Sequence, residues 1–261
     1  MVAMRADSVG HMLAVAAAWE EVSMARVEDP VILALDTGDR DRLLRLAEGM
    51  RGEVRTVKIG LEAYTRCGPE IILTMRDFGY RVFADLKLHD IPNTVRGAAA
   101  ALSDLGVEMI SVHVSGGRKM LEAAVEAARE AARAGGGRPP LLLGVTVLTS
   151  LEEAAMREMG WQARLEDVVL GMASLGRECG LDGFVCSPRE LTVLRGALGD
   201  EPVLVTPGIR LPGTEVHDQA RTATPREALR AGADYLVVGR AVTSQADPRG
   251  ALRSLRASMR M

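Results

Sequence analysis

Aromatic residues are scarce in this chain: two Trp, three Tyr and three Phe amount to 3% of 261 residues, against 48% apolar residues in all. A core of this composition must be built from Ala, Val, Leu, Ile and Met, which suits helix-rich α/β packing better than an all-β sandwich. The few rings do not interleave with Arg or Lys, which excludes a base-stacking platform. An excess of one charge is missing too: 32 Lys and Arg stand against 35 Asp and Glu, net −3, with no sustained basic stripe, so nucleic acid is not an expected partner. Cysteine is limited to Cys67, Cys179 and Cys186. An odd number without a C-x-x-C pair excludes a disulfide framework and a zinc site and makes a reducing cytoplasm the expected compartment. Cys179 and Cys186 bracket a predicted strand and read as small buried hydrophobes.

No apolar run is long enough to span a bilayer. The candidate near the N-terminus, Met12 to Ala18, is too short. Asp7 precedes it, and Trp19-Glu20-Glu21 occupies the place of a small-residue cleavage site, so neither membrane nor export is expected. Residues 1–28 read as a helical or disordered extension with no assigned role, and Met24 could open an equivalent chain without it.

What the sequence does contain is a repeated switch of period. Short β-branched or apolar runs occur at Val31–Leu35, Val54–Ile59, Arg81–Lys87, Met109–Val114, Leu141–Leu148, Gly183–Cys186, Pro202–Thr206 and Tyr235–Val238. Helical stretches separate them. One starts near Asp39 and runs to about Met50; a single helix follows Gly60 as far as Phe78, where Gly79 stops it. An alanine-rich helix spans Asn93–Leu105 after the turn at Pro92, Ser115-Gly116-Gly117 opens the next, and residues 151–180 hold one or two more. Ser187-Pro188 starts a helix with Pro in its first turn, Thr224-Pro225-Arg226-Glu227 caps another, and Asp247-Pro248 opens the last. The expectation is a single (β/α)8 TIM barrel over residues 29–261. An open doubly wound sheet is the alternative, but no G-x-G-x-x-G follows the first strand.

In a barrel of this kind the active site gathers at the C-terminal strand ends. Those ends carry Asp36, Lys58, Asp85, Lys87, His113 and Thr146 or Thr149. Side chains two apart on a strand share a face, so Asp85 and Lys87 both point to the barrel mouth, with Asp90 on the loop beyond and Lys58 one strand away. A single such pair would serve as a structural ion pair. Four charges converging at strand ends point to function, because removing ions from water costs several kcal/mol each unless they are paired. An ammonium at Lys87 held among carboxylates is a positioned proton donor, suited to a reaction that generates a carbanion without a bound cofactor.

Thr206-Pro207-Gly208-Ile209-Arg210 follows the seventh strand and Val238-Gly239-Arg240 the eighth, the two loops that form the recurrent phosphate site of such barrels. Glycine-freed backbone N–H groups and a guanidinium match a phosphate dianion. His89 and His113 lack a further histidine at ligand spacing and read as hydrogen-bonded structural residues, and His11 and His217 as surface residues. Met156 and Met159 read as core filling.

The run Asp85-Leu86-Lys87-Leu88-His89-Asp90-Ile91-Pro92-Asn93-Thr94 resembles the signature of the orotidine 5′-phosphate decarboxylase family. The resemblance extends, in order, through Val57-Lys58-Ile59-Gly60, Val112-His113-Val114-Ser115-Gly116-Gly117, Val145-Thr146-Val147-Leu148-Thr149-Ser150, Val205-Thr206-Pro207-Gly208-Ile209-Arg210 and Val237-Val238-Gly239-Arg240, covering about residues 30–258. It implies conversion of orotidylate to uridylate and CO2 with no cofactor and no metal. It implies a catalytic tetrad of Lys58, Asp85, Lys87 and Asp90, with Lys87 delivering the proton to C6 of the pyrimidine. By the same resemblance Asp36 and Lys58 hold ribose hydroxyls, Thr149 meets the pyrimidine edge, and Arg210, Gln219, Gly239 and Arg240 contact substrate and phosphate. Family members are homodimers in which the loop carrying Asp90 and Thr94 enters the neighbouring subunit's site, so shared sites are expected. Two other readings stay open: a metal-dependent sugar-phosphate decarboxylase or aldolase built on a D-x-K-x-x-D core, and a non-catalytic nucleotide-binding barrel.

Overall fold

The computed structural model describes residues 29–210 and 222–260. The extension at 1–28, with His11, and the residues Gln219 and His217 therefore lie outside the described residues. Eight parallel strands close on themselves: β1 (Val31–Ala34), β2 (Thr56–Gly60), β3 (Arg81–Leu88), β4 (Met109–His113), β5 (Leu141–Val145), β6 (Gly183–Val185), β7 (Val203–Thr206) and β8 (Tyr235–Val238). Pairing of Val31 with Leu236 and Leu33 with Val238 joins the first strand to the last, which excludes the open sheet.

Both faces of each strand are apolar because both are covered. Ile32, Ala34, Phe83, Met109, Leu143, Val203, Val205 and Val237 fill the barrel interior. Leu33, Val57, Ile59, Val82, Ile110, Val112, Phe184 and Leu204 face outward to the helices. Gly183 is dictated by this closure, since a Cβ there would collide with the carbonyl of Val203 on the neighbouring strand.

The helices follow strand by strand: α1 (Arg40–Gly49), α2 (Leu61–Cys67), α3 (Glu70–Asp77), α4 (Pro92–Asp104), α5 (Arg118–Ala134), α6 (Glu153–Glu158), α7 (Leu165–Glu178), α8 (Leu191–Leu198), α9 (Pro225–Arg230), α10 (Arg240–Thr243) and α11 (Pro248–Arg260). Asp39 caps α1 by accepting the N–H of Arg42 at 3.0 Å, and Thr224 and Glu227 form the expected capping box of α9.

Several expectations are corrected. The single helix expected after Gly60 is two, because Gly68 takes φ 70 and Pro69 begins a new start. The helix expected from Ser187-Pro188 begins only at Leu191. The N–H of Ser187 donates to the Glu190 carboxylate at 2.9 Å, which folds the intervening residues into a turn. The fifth strand stops at Val145 rather than Leu148, and the short helix α10 after β8 was not anticipated. Met156 is buried, but Met159 is 54% exposed and fills no core.

Away from the strand C-termini, carboxylates take the place of missing ladder acceptors. Asp182 accepts the N–H of Leu142 at 2.8 Å and Asp234 that of Leu204 at 2.7 Å, in each case from the neighbouring strand. Burial pushes Asp182 up to about 6, against the opposing pull of the Leu142 N–H and Arg129. A carboxyl raised in the folded state binds an extra proton there between about pH 4 and pH 6, so its contribution to stability is present at low pH and lost as pH rises through 6. Asp182→Asn keeps the acceptor and removes the charge. Its melting temperature relative to wild type is expected to rise from pH 5 to pH 7.5, by the equivalent of about 1 kcal/mol once partial solvent exposure is discounted. A pH-independent difference in calorimetry would contradict this.

Candidate active site

The ends of β1, β2, β3, β7 and β8, with the segment after β5, surround a cavity of about 490 Å³. Asp36, Lys58, Asp85, Lys87, Thr149, Arg210, Gly239 and Arg240 all line it, so eight of the residues expected from sequence converge. Gln219 is not described, and Asp90 and Thr94 are placed elsewhere.

The charged side chains form a chain of alternating sign. Lys58 Nζ donates to Asp36 Oδ1 at 2.8 Å and lies 3.4 Å from Asp85 Oδ2, and Lys87 Nζ donates to the other oxygen of Asp85 at 2.9 Å. Lys58 and Asp85 sit deep, with side chains 9% and 10% exposed, whereas Lys87 at 30% is open to the cavity. Burial disfavours the Lys58 ammonium, yet Asp85 and Asp36 outweigh it and hold its pKa above the ordinary lysine value. Burial likewise works against an ionised Asp85, and Lys58, Lys87 and Ser111 outweigh it, keeping the carboxyl below the usual range. The deep pair thus stays charged at neutral pH.

Two glycines and one distortion make this arrangement fit. A Cβ on Gly60 would stand 2.8 Å from Asp36 Oδ1 and 3.1 Å from Lys58 Nζ, so the space for that ion pair exists because residue 60 has no side chain. Gly208, in the loop after β7, takes φ 83, a conformation open to glycine. Lys87 adopts φ 51, the left-handed region that disfavours an ordinary side chain by about 1–3 kcal/mol. The alternation argument that placed Asp85 and Lys87 on one face therefore succeeds through an irregularity. The β3–β4 register shifts between Ala84 and Leu88, and the strand delivers Lys87 beside Asp85 by bulging.

At the opposite side of the cavity, β7 and β8 contribute Pro207, Gly208, Ile209, Arg210, Gly239 and Arg240. Arg210 Nε is buried without a hydrogen-bond partner among the described residues. A buried guanidinium N–H in that condition calls for an acceptor.

Asp90 is exposed, and its carboxylate accepts the N–H of Ile91 at 2.6 Å instead of meeting Lys87. Thr94 is exposed in the first turn of α4. Beside them Ile91 is 66% exposed, and Leu61 at the head of α2 is 57% exposed. His89 and His113 lean on each other with ring centroids 5.1 Å apart and planes tilted by 40°, and among the described residues neither takes the hydrogen-bonded role expected. Burial, then His89 and Lys87, lower the pKa of His113.

Sequence reasoning missed Ser111, whose hydroxyl reaches both Asp85 and the backbone of Lys87. Its signal was a polar residue at an inward position of an otherwise apolar strand, between Met109 and His113.

The model of the orotidine 5′-phosphate decarboxylase / HUMPS family matches residues 29–255. The chain belongs to that family. Among its relatives, the orotidine 5′-phosphate decarboxylase of Moorella thermoacetica is 46% identical over 243 residues, covering 93% of this chain and 96% of the relative. That of Pseudomonas fluorescens strain Pf0-1 is 45% identical over 236 residues, 90% of this chain and all of the relative. The crystal structure of orotidine 5′-phosphate decarboxylase from Lactobacillus acidophilus superposes with a TM-score of 0.79 at 35% identity, covering 90% of this chain and 100% of that one.

Proposed function

We propose that the Lys58–Asp85–Lys87 network performs the chemistry of an orotidine 5′-phosphate decarboxylase, a carboxy-lyase of pyrimidine biosynthesis that converts orotidylate to uridylate and CO2. The carrying observation is one carboxylate, Asp85, gripped on both oxygens by ammonium groups, one of them open to the cavity. The bond from C6 to the substrate carboxylate breaks, CO2 leaves, and the electron pair stays on C6, where no adjacent carbonyl accepts it as an enolate. Stabilisation is therefore electrostatic: Lys87 meets the developing carbanion and gives it a proton, while Asp85 faces the departing carboxylate. Asp36 and Lys58 hold the ribose hydroxyls and keep the array in register, and Thr149 meets the pyrimidine edge.

The two relatives named above, at 45–46% identity, carry the decarboxylase name, which favours this reading over metal-dependent sugar-phosphate chemistry. Both oxygens of Asp85 being engaged by lysines supports the same preference, since a divalent cation there would face two ammonium groups. Loss of the orotidylate ultraviolet absorbance, unaffected by a chelator, is the test. No turnover by folded protein sinks the decarboxylase reading, and abolition by chelator transfers it to the metal-dependent one.

Arg210, Gly239 and Arg240 bind the phosphate, with Gln219 adding a further contact; the Arg210 Nε, buried without a partner among the described residues, supports this. Arg240→Ala is expected to reduce kcat/KM for orotidylate by about 10²-fold, the scale of a charge-assisted contact, and to leave slow turnover of the phosphate-free nucleoside within about threefold. Equal losses on both substrates would exclude a phosphate role.

The active protein is a homodimer in which Asp90 and Thr94 complete the neighbouring subunit's site. Their exposure outside their own cavity, flanked by exposed Ile91 and Leu61, supports that assembly. Among the described residues no helix is long and apolar enough to cross a membrane. The cytoplasm is the compartment that suits unpaired Cys67, Cys179 and Cys186.

A further inference from the structure

We infer that Ser111 is a positioning residue for the proton donor: its hydroxyl closes the bulge in β3 and thereby fixes both the backbone of Lys87 and the carboxylate of Asp85. The inference rests on the decarboxylase reading above.

The ladder between β3 and β4 explains why a hydroxyl is needed. Ala84 pairs with Ile110 and Leu88 with Val112, so Asp85, Leu86 and Lys87 together stand opposite the one residue Ser111. Within such a bulge the regular backbone acceptor is lost to the extra residues. The N–H of Lys87 donates instead to Ser111 Oγ at 2.9 Å, and the same hydroxyl donates to Asp85 Oδ1 at 2.9 Å. That oxygen is also the one that accepts from Lys87 Nζ. Main chain and side chain of the proton donor are thus tied to a single point.

Ser111 is fully buried and inward-facing, at the one place on β4 where its hydroxyl meets both partners. A serine supplies what the position demands: an acceptor for the backbone and a donor for the carboxylate in the same atom. An alanine there leaves the Lys87 N–H without its acceptor and Asp85 short of a donor, in a conformation, φ 51, that a lysine does not keep unaided. The consequence falls on the orientation of the reacting ammonium and spares the phosphate and ribose contacts, which come from other strands.

Ser111→Ala is expected to lower kcat on orotidylate by about 10- to 100-fold with KM within about threefold, the signature of an interaction that matters at the transition state. Ser111→Thr, which keeps the hydroxyl on the same carbon, is expected to recover most of that loss. Amide hydrogen exchange reads the same contact without turnover: the Lys87 N–H should be protected in wild type and exchange at least about tenfold faster in the Ala variant. A folded Ser111→Ala with kcat within twofold of wild type, or with the Lys87 amide equally protected, overturns the inference, as does a loss of kcat in Ser111→Thr equal to that in Ser111→Ala. Should Ser111→Ala fail to fold, Ser111→Cys, of similar shape and weak as an acceptor, is judged by the same two measurements. If wild-type protein does not decarboxylate orotidylate, the functional reading fails by itself, and the exchange comparison still decides whether Ser111 holds Lys87.

Discussion

Replacing Lys87 by Ala is expected to lower kcat/KM for orotidylate by at least about 10⁴-fold, while uridylate still binds within about tenfold of wild type. The asymmetry follows from what Lys87 touches. Its ammonium contacts Asp85 and faces the cavity, whereas the residues proposed to hold phosphate and ribose stand on or after other strands. In the proposed mechanism, removing it takes away both the proton and the positive charge opposite the forming carbanion, two contributions that exist only at the transition state. It also leaves the buried Asp85 with Lys58 as its remaining cation, so the variant's folded state must be verified by circular dichroism. A loss smaller than about tenfold in folded protein would mean that the proton comes from elsewhere.

Asp90→Ala is expected to reduce turnover by about 10³-fold even though Asp90 does not line the cavity of its own chain. In the proposed two-fold dimer, the Asp90 that completes a site belongs to the other protomer. Mixing inactive Lys87→Ala chains with inactive Asp90→Ala chains, unfolding and reassembling them, should then restore up to about a quarter of wild-type activity. Half of the random dimers are hybrids, each with one intact site of two. Native mass spectrometry counts the hybrids. Hybrids formed without any recovered activity would show that each site is built from one chain, and Asp90 would then need to swing inward from its present hydrogen bond to Ile91.

Much of the site was legible because its signals are local. Asp85, Lys87 and Lys58 stand at the ends of apolar runs, where a charged residue has no place unless it is paired, and the structure pairs all three. Gly208, Arg210, Gly239 and Arg240 were legible for a similar reason, as glycine and cation at the ends of two successive strands. Ser111 and Gly60 were not. A serine in a strand and a glycine after one are unremarkable until their neighbours across the sheet are known, and those neighbours, Asp85 and Lys87 for Ser111 and Asp36 for Gly60, stand 24 to 26 positions away in the chain. The break at Gly68-Pro69 was misread because the apolar period runs through it, and the late start of α8 because Ser187-Pro188 carries a start signal that the Glu190 carboxylate, accepting the Ser187 N–H, turns into a separate turn.

The sequence by itself determined the alternation of strand and helix, the mainly aliphatic core and the positions of the charges along the chain. These depend on period and composition, which each segment carries within itself. Closure of β1 onto β8, the register shift that turns Lys87 back beside Asp85, and the outward turn of Asp90 were decided only by the tertiary structure. The physical reason is that hydrogen-bond register and burial are relations between segments. A strand's own residues specify which face is apolar, but not which partner residue stands opposite it when the barrel closes.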